Sequence, residues 1–412
     1  LATLFGTVTV TRCAWRKPGA PNWHPADAAL SLPAGRHSHT LAKLAVIEAA
    51  RGSFDDAREA ITRRCGPVIG KRQIEESVVR AAADIPAFYA ARVPQPCTSS
   101  TLLIMSADCK GIVMRPGALR AATAKAAAKL GKMRTRLAAG EKPNRKRMAC
   151  LATVYDTEPA KRRPHDVIAP PGGRHGDRKL PPGPKARARW LAGSVRNDPA
   201  EVIAAMYDEA EARDPAHLRT WVVLVDGAKH QLDLVRAEAA RRSVMIHVII
   251  DIIHVLEYIW GASWCFHEAG DPAAEDWVAV KALAVLAGDS TRAAQEISAE
   301  ADAAGLAGSR RTGADACVRY LGNKHDFLRY GQALAAGWPI ATGVIEGACR
   351  HLIADRLSIS GSRWGLDGAE AVLTLRAVIS NGDISEYWRF HLEREHQRLY
   401  SDAKQEQYAL GA

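Results

Sequence analysis

A chain of 412 residues, 47% hydrophobic and 25% charged, is long enough for two or three domains and has the composition of a folded globular protein, which excludes a disordered or fibrous one. Its formal charge of +11 favours a polyanionic partner, nucleic acid first and an anionic membrane second. The eight cysteines, at 13, 65, 97, 109, 150, 265, 317 and 349, form no CxxC pair; this argues against a zinc ribbon or thioredoxin-like motif and predicts free thiols in a reducing cytoplasm.

The opening LATLFGTVTVTR has neither a basic leader nor a long apolar core, so it does not read as a signal peptide. Alternation over Phe5–Arg12 predicts a short strand, and proline and glycine then make residues 1–37 a loop-rich entry. Residues 38–93 turn helical. A first helix presents Leu41, Leu44, Ala45 and Ile47 and breaks at Gly52. Ser53 is placed to cap a second helix, which runs to Arg64. A third opens on Lys71-Arg72-Gln73 and continues towards Tyr89. Short helices with a basic leading end fit a helix-turn-helix unit that binds DNA, with Lys71 and Arg72 as contacts, or equally a plain three-helix bundle.

Pro94–Ser100 reads as a linker into a core over 101–260. Leu102–Met105 is apolar enough for a buried strand and leads to Asp108. Strand character returns at Met148–Tyr155, and prolines mark a long basic loop through 132–189. Residues 101–200 hold 22 Lys and Arg against 7 Asp and Glu, a net +15, so the basicity is local. Lys132, Arg134, Arg136, Lys142, Arg145, Lys146 and Arg147 form its densest cluster, the last three singled out as DNA contacts. Trp221–Val225 is a continuous apolar run ending in Asp226-Gly227, and Val244–Ile250 is a third run, ending at Asp251. Residues 261–336 are alanine-rich and helical, and 337–412 complete the core with two or three helices. The most apolar run, 244–253, is too short to span a bilayer, so a soluble, cytoplasmic protein is expected.

Three strands thus each deliver an acid at their carboxyl end, the edge at which open α/β sheets bind ligands. Glu346, on a later helix, could pack against the same edge. Clustered carboxylates repel one another, and divalent metal relieves the repulsion. Two Mg2+ ions, with Mn2+ as substitute, could support in-line phosphoryl transfer. His254, three residues after Asp251, makes a second candidate pair with it, as support behind the main ligands. The stretch Gly343–Trp364 adds Arg350, four residues after Glu346 and on its helical face, then Arg356, Arg363 and Trp364. Arg350 is either a partner of Glu346 or a phosphate contact; Trp364 either stacks on a base or closes a core. No GxxxxGK loop is present, which argues against an ATP-driven motor.

The segments SADCKG (106–111), VLVDGAKH (223–230), DIIHVLEYIW (251–260), GVIEGACRHLIADRLSISGSRWGLDGAEAVLTLRA (343–377) and SNGDISEYWRFHLEREHQR (380–398) resemble bacterial insertion-sequence transposases of the DDE type, in particular the ISKra group. ARGSFDDAREAI and KRQIEE near the N-terminus add to the likeness. The resemblance implies an α/β fold: a ribonuclease H-like catalytic core with an α-helical insertion before the final Glu, preceded by a mainly helical N-terminal region. It also implies metal-dependent cleavage and strand transfer of element ends, with Asp108, Asp226 and Glu346 as the triad, ahead of Asp251. The partners would be the terminal inverted repeats and target DNA, bound by a homodimer or larger assembly associated with the nucleoid. One departure is Cys109, at an expected tight turn where relatives would carry glycine. A ribonuclease H-like nuclease that cuts without joining, and an inactive DNA-binding remnant, are the alternatives.

Overall fold

A computed structural model describes residues 1–16, 18–19, 22–93, 100–129, 144–173 and 180–400. The chain enters through a hairpin of two-residue strands, β1 (Ala2–Thr3) and β2 (Gly6–Thr7), in place of the strand expected over Phe5–Arg12. Gly6, at φ +103°, turns the chain back on itself, and residues 8–12 form no strand pairing. Ser38 then caps the helix His39–Arg51 by accepting from Leu41 N at 3.3 Å. Ser53 caps Phe54–Cys65 reciprocally with Asp56, each side chain accepting from the other's backbone N–H at 3.0 Å. The third helix, Lys71–Ala82, stops short of Tyr89. Pro86 has no N–H to continue it and sits instead in the first turn of a separate helix, Ile85–Ala91.

The centre is a five-stranded mixed sheet. β3 (Leu102–Val113) pairs antiparallel with β4 (Lys146–Thr157) without a break, and β4 pairs antiparallel with β5 (Arg187–Ser194). β6 (Trp221–Val225) lies parallel to β3, and β7 (Ile246–Ile250) parallel to β6, giving the order β5-β4-β3-β6-β7. β5 falls where a basic loop was expected to run on to residue 189. The prolines end at 184, and Trp190 and Leu191 then turn into the core while Arg187 and Arg189 stay outside.

Alternation along β4 feeds two helical layers. Cys150, Ala152 and Val154 face a core shared with Pro199–Arg213, Lys229–Arg242, Ile252–Ser263 and the helical stretch Pro272–Ala336. Ala149 and Leu151 face the other core. There the N-terminal helices pack with Ile345, Leu352 and Ile353 and with the helices Leu366–Ser380 and Ile384–Leu399. Two buried arginines join these parts. Arg356 Nε donates to the Ala49 carbonyl at 3.0 Å, and Arg376 donates to the Ala50 and His351 carbonyls and, at 3.1 Å, to that of Leu352. Ala49 and Ala50 lie in the last turn of His39–Arg51, where unpaired carbonyls and the helix dipole both favour a cation.

Candidate functional site

Strand register sets the acids in one row. Ser106 of β3 is opposite Leu224 of β6, and Leu224 is opposite Ile249 of β7. Two residues further on, a step that preserves the face, stand Asp108, Asp226 and Asp251. Asp108 is not at a strand end, as the apolar run suggested, nor is Cys109 in a tight turn. The parallel pairing with β6 stops at Ser106, but the antiparallel pairing with β4 carries β3 on to Val113. Past Ser106 the neighbouring strands part, and Gln231 spans the opening: its Nε2 donates to the Ala107 carbonyl at 2.5 Å and its Oε1 accepts from Asp226 N at 3.3 Å. Asp226 turns its own chain by accepting from Ala228 N at 2.8 Å. Gly227 between them has φ +90°, and a Cβ there would come within 3.0 Å of the Tyr320 hydroxyl, so the position requires glycine.

The carboxylate nearest Glu346 is that of Asp251. Asp251 is fully buried and caps Ile252–Ser263, its Oδ1 accepting from Ile253 N at 3.0 Å. Its Oδ2 meets the Thr342 hydroxyl at 2.5 Å and lies 3.4 Å from His254 Nδ1. The same hydroxyl reaches Glu346 Oε1 at 2.6 Å. Thr342 precedes the helix Gly343–Ala348, so Glu346 stands one turn above it. Ligand atoms of Asp251, His254 and Glu346 all lie within 4.8 Å of one another, a group that could hold a metal ion. Asp108 and Asp226 are not in that group. The pair assigned from sequence to a supporting place is thus the one the fold brings to Glu346. The Thr342 hydrogen bond acts to lower the Glu346 pKa, but partial desolvation and the adjacent Asp251 carboxylate outweigh it and hold this exposed residue's carboxyl above its usual range. Arg350 makes no ion pair with Glu346 among the described residues. The helix opens into a π-helical turn at Cys349–Ala354, which alters the spacing that would have aligned them.

Asp108 has a different neighbourhood. Its Oδ1 accepts from Cys109 N at 2.6 Å, and the Cys349 thiol beside it is pushed to a high pKa by burial and by the Asp108 charge and hydrogen bond. Cys109 and Cys150 form a disulfide, which corrects the expectation that all the cysteines are free thiols. The long β3–β4 register sets the two side chains opposite each other, with Cα atoms 4.0 Å apart.

The cations chosen from sequence separate into two sets. Arg356 and Trp364 are buried, which corrects their assignment to DNA. The Arg356 guanidinium lies 5.1 Å from the Phe54 ring and 4.8 Å from that of Trp364, and burial, with Arg376 close by, pulls its pKa to about 10. Trp364 donates from its indole nitrogen to the Leu357 carbonyl at 2.9 Å and so closes a core. Arg147 is also committed, donating to the carbonyls of Val195, Ala118 and Arg196. Arg350, Arg363, Arg145, Lys146, Lys71 and Arg72 remain exposed; Lys71 pairs with Asp55 at 2.6 Å and Arg72 with Glu76 at 2.9 Å. Lys132, Arg134, Arg136 and Lys142 lie outside the described residues.

Sequence reasoning missed Thr342, Gln231 and Tyr320. A threonine four residues before Glu346 was a legible sign of a helix start, but its hydroxyl bonds Asp251 and Glu346 rather than capping the helix. Tyr320 gave none: its hydroxyl is buried without a hydrogen-bond partner, and burial together with Tyr258, Asp226 and Asp251 raises its pKa. No helix of the described residues is long and apolar enough to cross a membrane. No protein-family model and no curated protein matches the chain.

Proposed function

We propose that the chain is a DDE-type DNA transposase that cleaves the ends of an insertion sequence and joins them to target DNA. The observation that carries this reading is the row of Asp108, Asp226 and Asp251 on adjacent strands, with Glu346 brought to the same edge by a later helix. An antiparallel three-strand meander followed by two parallel strands is also what a ribonuclease H-like core would have, and the helices between β7 and Glu346 stand where its insertion would.

In this reading Asp108, Asp226 and Glu346 hold divalent cations. Mg2+, or Mn2+ in its place, would supply an activated water and charge for the leaving oxygen. Water attack on the phosphodiester at each element end breaks the bond to flanking DNA and leaves a 3′-hydroxyl. That hydroxyl attacks a target phosphate, one phosphodiester replaces another, and neither ATP nor a covalent protein intermediate is needed. The exposed Arg350, Arg363, Arg145, Lys146, Lys71 and Arg72 would neutralise backbone phosphates of the inverted repeats and the target, the last two from a helix-turn-helix-like region. Two ends must be held at once, so a homodimer or larger nucleoid-associated assembly is expected. The test is incubation with labelled element ends and Mg2+ or Mn2+. Strand transfer supports the transposase; cleavage alone would make it a nuclease, and binding alone a remnant. Cleavage that survives in Asp108→Ala or Glu346→Gln would remove these residues from the site.

A further inference from the structure

The Asp251 corner has a composition of its own. Capping uses one oxygen of Asp251, so only Oδ2 faces inward, towards a His254 nitrogen that is buried with no hydrogen-bond partner. Glu346 enters from a separate helix, Gly343–Ala348. Two carboxylates share one hydroxyl hydrogen, that of Thr342, and among the described residues neither has a lysine or arginine within ion-pair distance. The inward face therefore offers two oxygens and one imidazole nitrogen, with an excess of negative charge.

We propose that Asp251, His254 and Glu346 bind a first-row transition cation, with Mn2+ as its representative, and that the site discriminates against Mg2+. An imidazole nitrogen is a good ligand for transition metals, whereas Mg2+ takes hard oxygens and gives up its waters reluctantly. Ligands on opposite sides of a cation with bonds of about 2.1 Å are roughly 4.2 Å apart. The observed spread of up to 4.8 Å therefore needs only a small closure. His254 and Asp251, three apart, come from one helix start and Glu346 from a separate helix, so all three can close on one ion. The site does not require DNA chemistry. If the transposase reading holds, Glu346 is shared between this cation and the position at Asp108 and Asp226, so the two positions differ in their ligands and in the metal they prefer.

The experiment uses the full chain, stripped with chelator, without DNA. Mn2+ is titrated and followed by electron paramagnetic resonance, with Mg2+ as competitor. One Mn2+ is expected to bind with imidazole coordination, whatever else binds at Asp108 and Asp226, and to be half displaced only by at least a tenfold excess of Mg2+. Pulsed resonance on the wild type should show the 14N modulation of a single coordinated imidazole. His254→Gln should weaken Mn2+ about tenfold or more and erase that modulation, with Mg2+ affinity unchanged, while Asp108→Asn, which alters only the other position, keeps the imidazole-coordinated Mn2+ and its modulation. An absent 14N signal, displacement of the imidazole-coordinated ion by equimolar Mg2+, full Mn2+ affinity in His254→Gln, or loss of the 14N signal in Asp108→Asn would each overturn the proposal. The wild-type spectrum and competition decide even if a variant misfolds. Failure of strand transfer with Mn2+ binding intact would sink only the transposase reading.

Discussion

Two buried aspartates in this molecule are surrounded in opposite ways. Asp84, at the start of Ile85–Ala91, accepts from Arg398 at 2.7 and 2.9 Å and contacts His391 Nδ1 at 2.6 Å, with Arg394 at 3.9 Å. Asp251 faces a histidine, a threonine and, through that threonine, another carboxylate. The first cluster is neutralised by its own side chains and ties the Ile384–Leu399 helix to the N-terminal layer. The second is left short of positive charge at an open sheet edge. A buried acid with its counter-charges in place is part of the scaffold; one without them is a place for something to bind.

The largest effect that could break this contrast is catalytic. Glu346→Gln should reduce cleavage of element ends by about 10³-fold or more, with the melting temperature unchanged or raised. Asp84→Asn should leave cleavage per folded molecule within about twofold, since it lies in the other layer. Gel assays on both variants, normalised to folded protein, make the check. Equal losses would mean that Asp84 and Glu346 do not differ in kind.

Next comes the converse, in stability. Asp84→Ala takes the Nδ1 partner from buried His391, which keeps only Glu395 at 3.9 Å, and frees the more exposed Arg398; it should cost roughly 2 kcal/mol in urea unfolding, as for a buried polar group left unpaired. A loss under about 1 kcal/mol would demote the cluster to an ordinary surface pair.

An effect of similar size separates arginines within one motif. Arg356→Ala removes the Ala49 contact and the packing on Phe54 and Trp364, and should cost about 2 kcal/mol. Arg363→Ala should stay within about 0.5 kcal/mol but lower the salt dependence of DNA binding by about one phosphate contact. Chemical denaturation and a salt titration of end binding would exchange these assignments if Arg356 proved the DNA contact.

What the sequence disclosed follows from how local each signal is. Trp221–Val225 was legible because a strand buried on both faces is apolar at every position, and Ser53 because its cap is completed three residues later. β5 was hidden, since an edge strand beginning Arg-Ala-Arg has no apolar alternation until Trp190. The length of β3 depended on its partner β4, so the place of Asp108 within the strand and the pairing of Cys109 with Cys150 could not be seen from residues 102–111 alone. Arg356 and Trp364 carried the composition of a nucleic-acid contact; the helix end at Ala49 explains why Arg356 turns inward, and the Leu357 carbonyl why Trp364 does. That Asp251 rather than Asp108 touches Glu346 rests on Thr342, which joins residues 91 apart.

The smallest effect is the pH dependence of stability, and it has opposite signs at the two acids. Burial acts to raise the Asp84 pKa, but the hydrogen bonds and charges of Arg398 and His391 outweigh it and place the group below its ordinary 3.8. The stability Asp84 contributes is therefore full above about pH 4 and is lost as pH falls through the folded value. Glu346, held above its ordinary 4.5, contributes stability below that value and loses it as pH rises through the folded one. Metal-free protein should thus decline towards acid through Asp84 and towards neutrality through Glu346. The urea midpoint from pH 3 to 7 should lose its acid-side slope in Asp84→Asn and its neutral-side slope in Glu346→Gln. Saturating Mn2+, which binds the ionised carboxylate, should turn the neutral-side slope upward, because cation binding and proton release are then linked. A neutral-side slope that persists in Glu346→Gln, or that ignores Mn2+, would show that the Asp251 corner is balanced in the way Asp84 is.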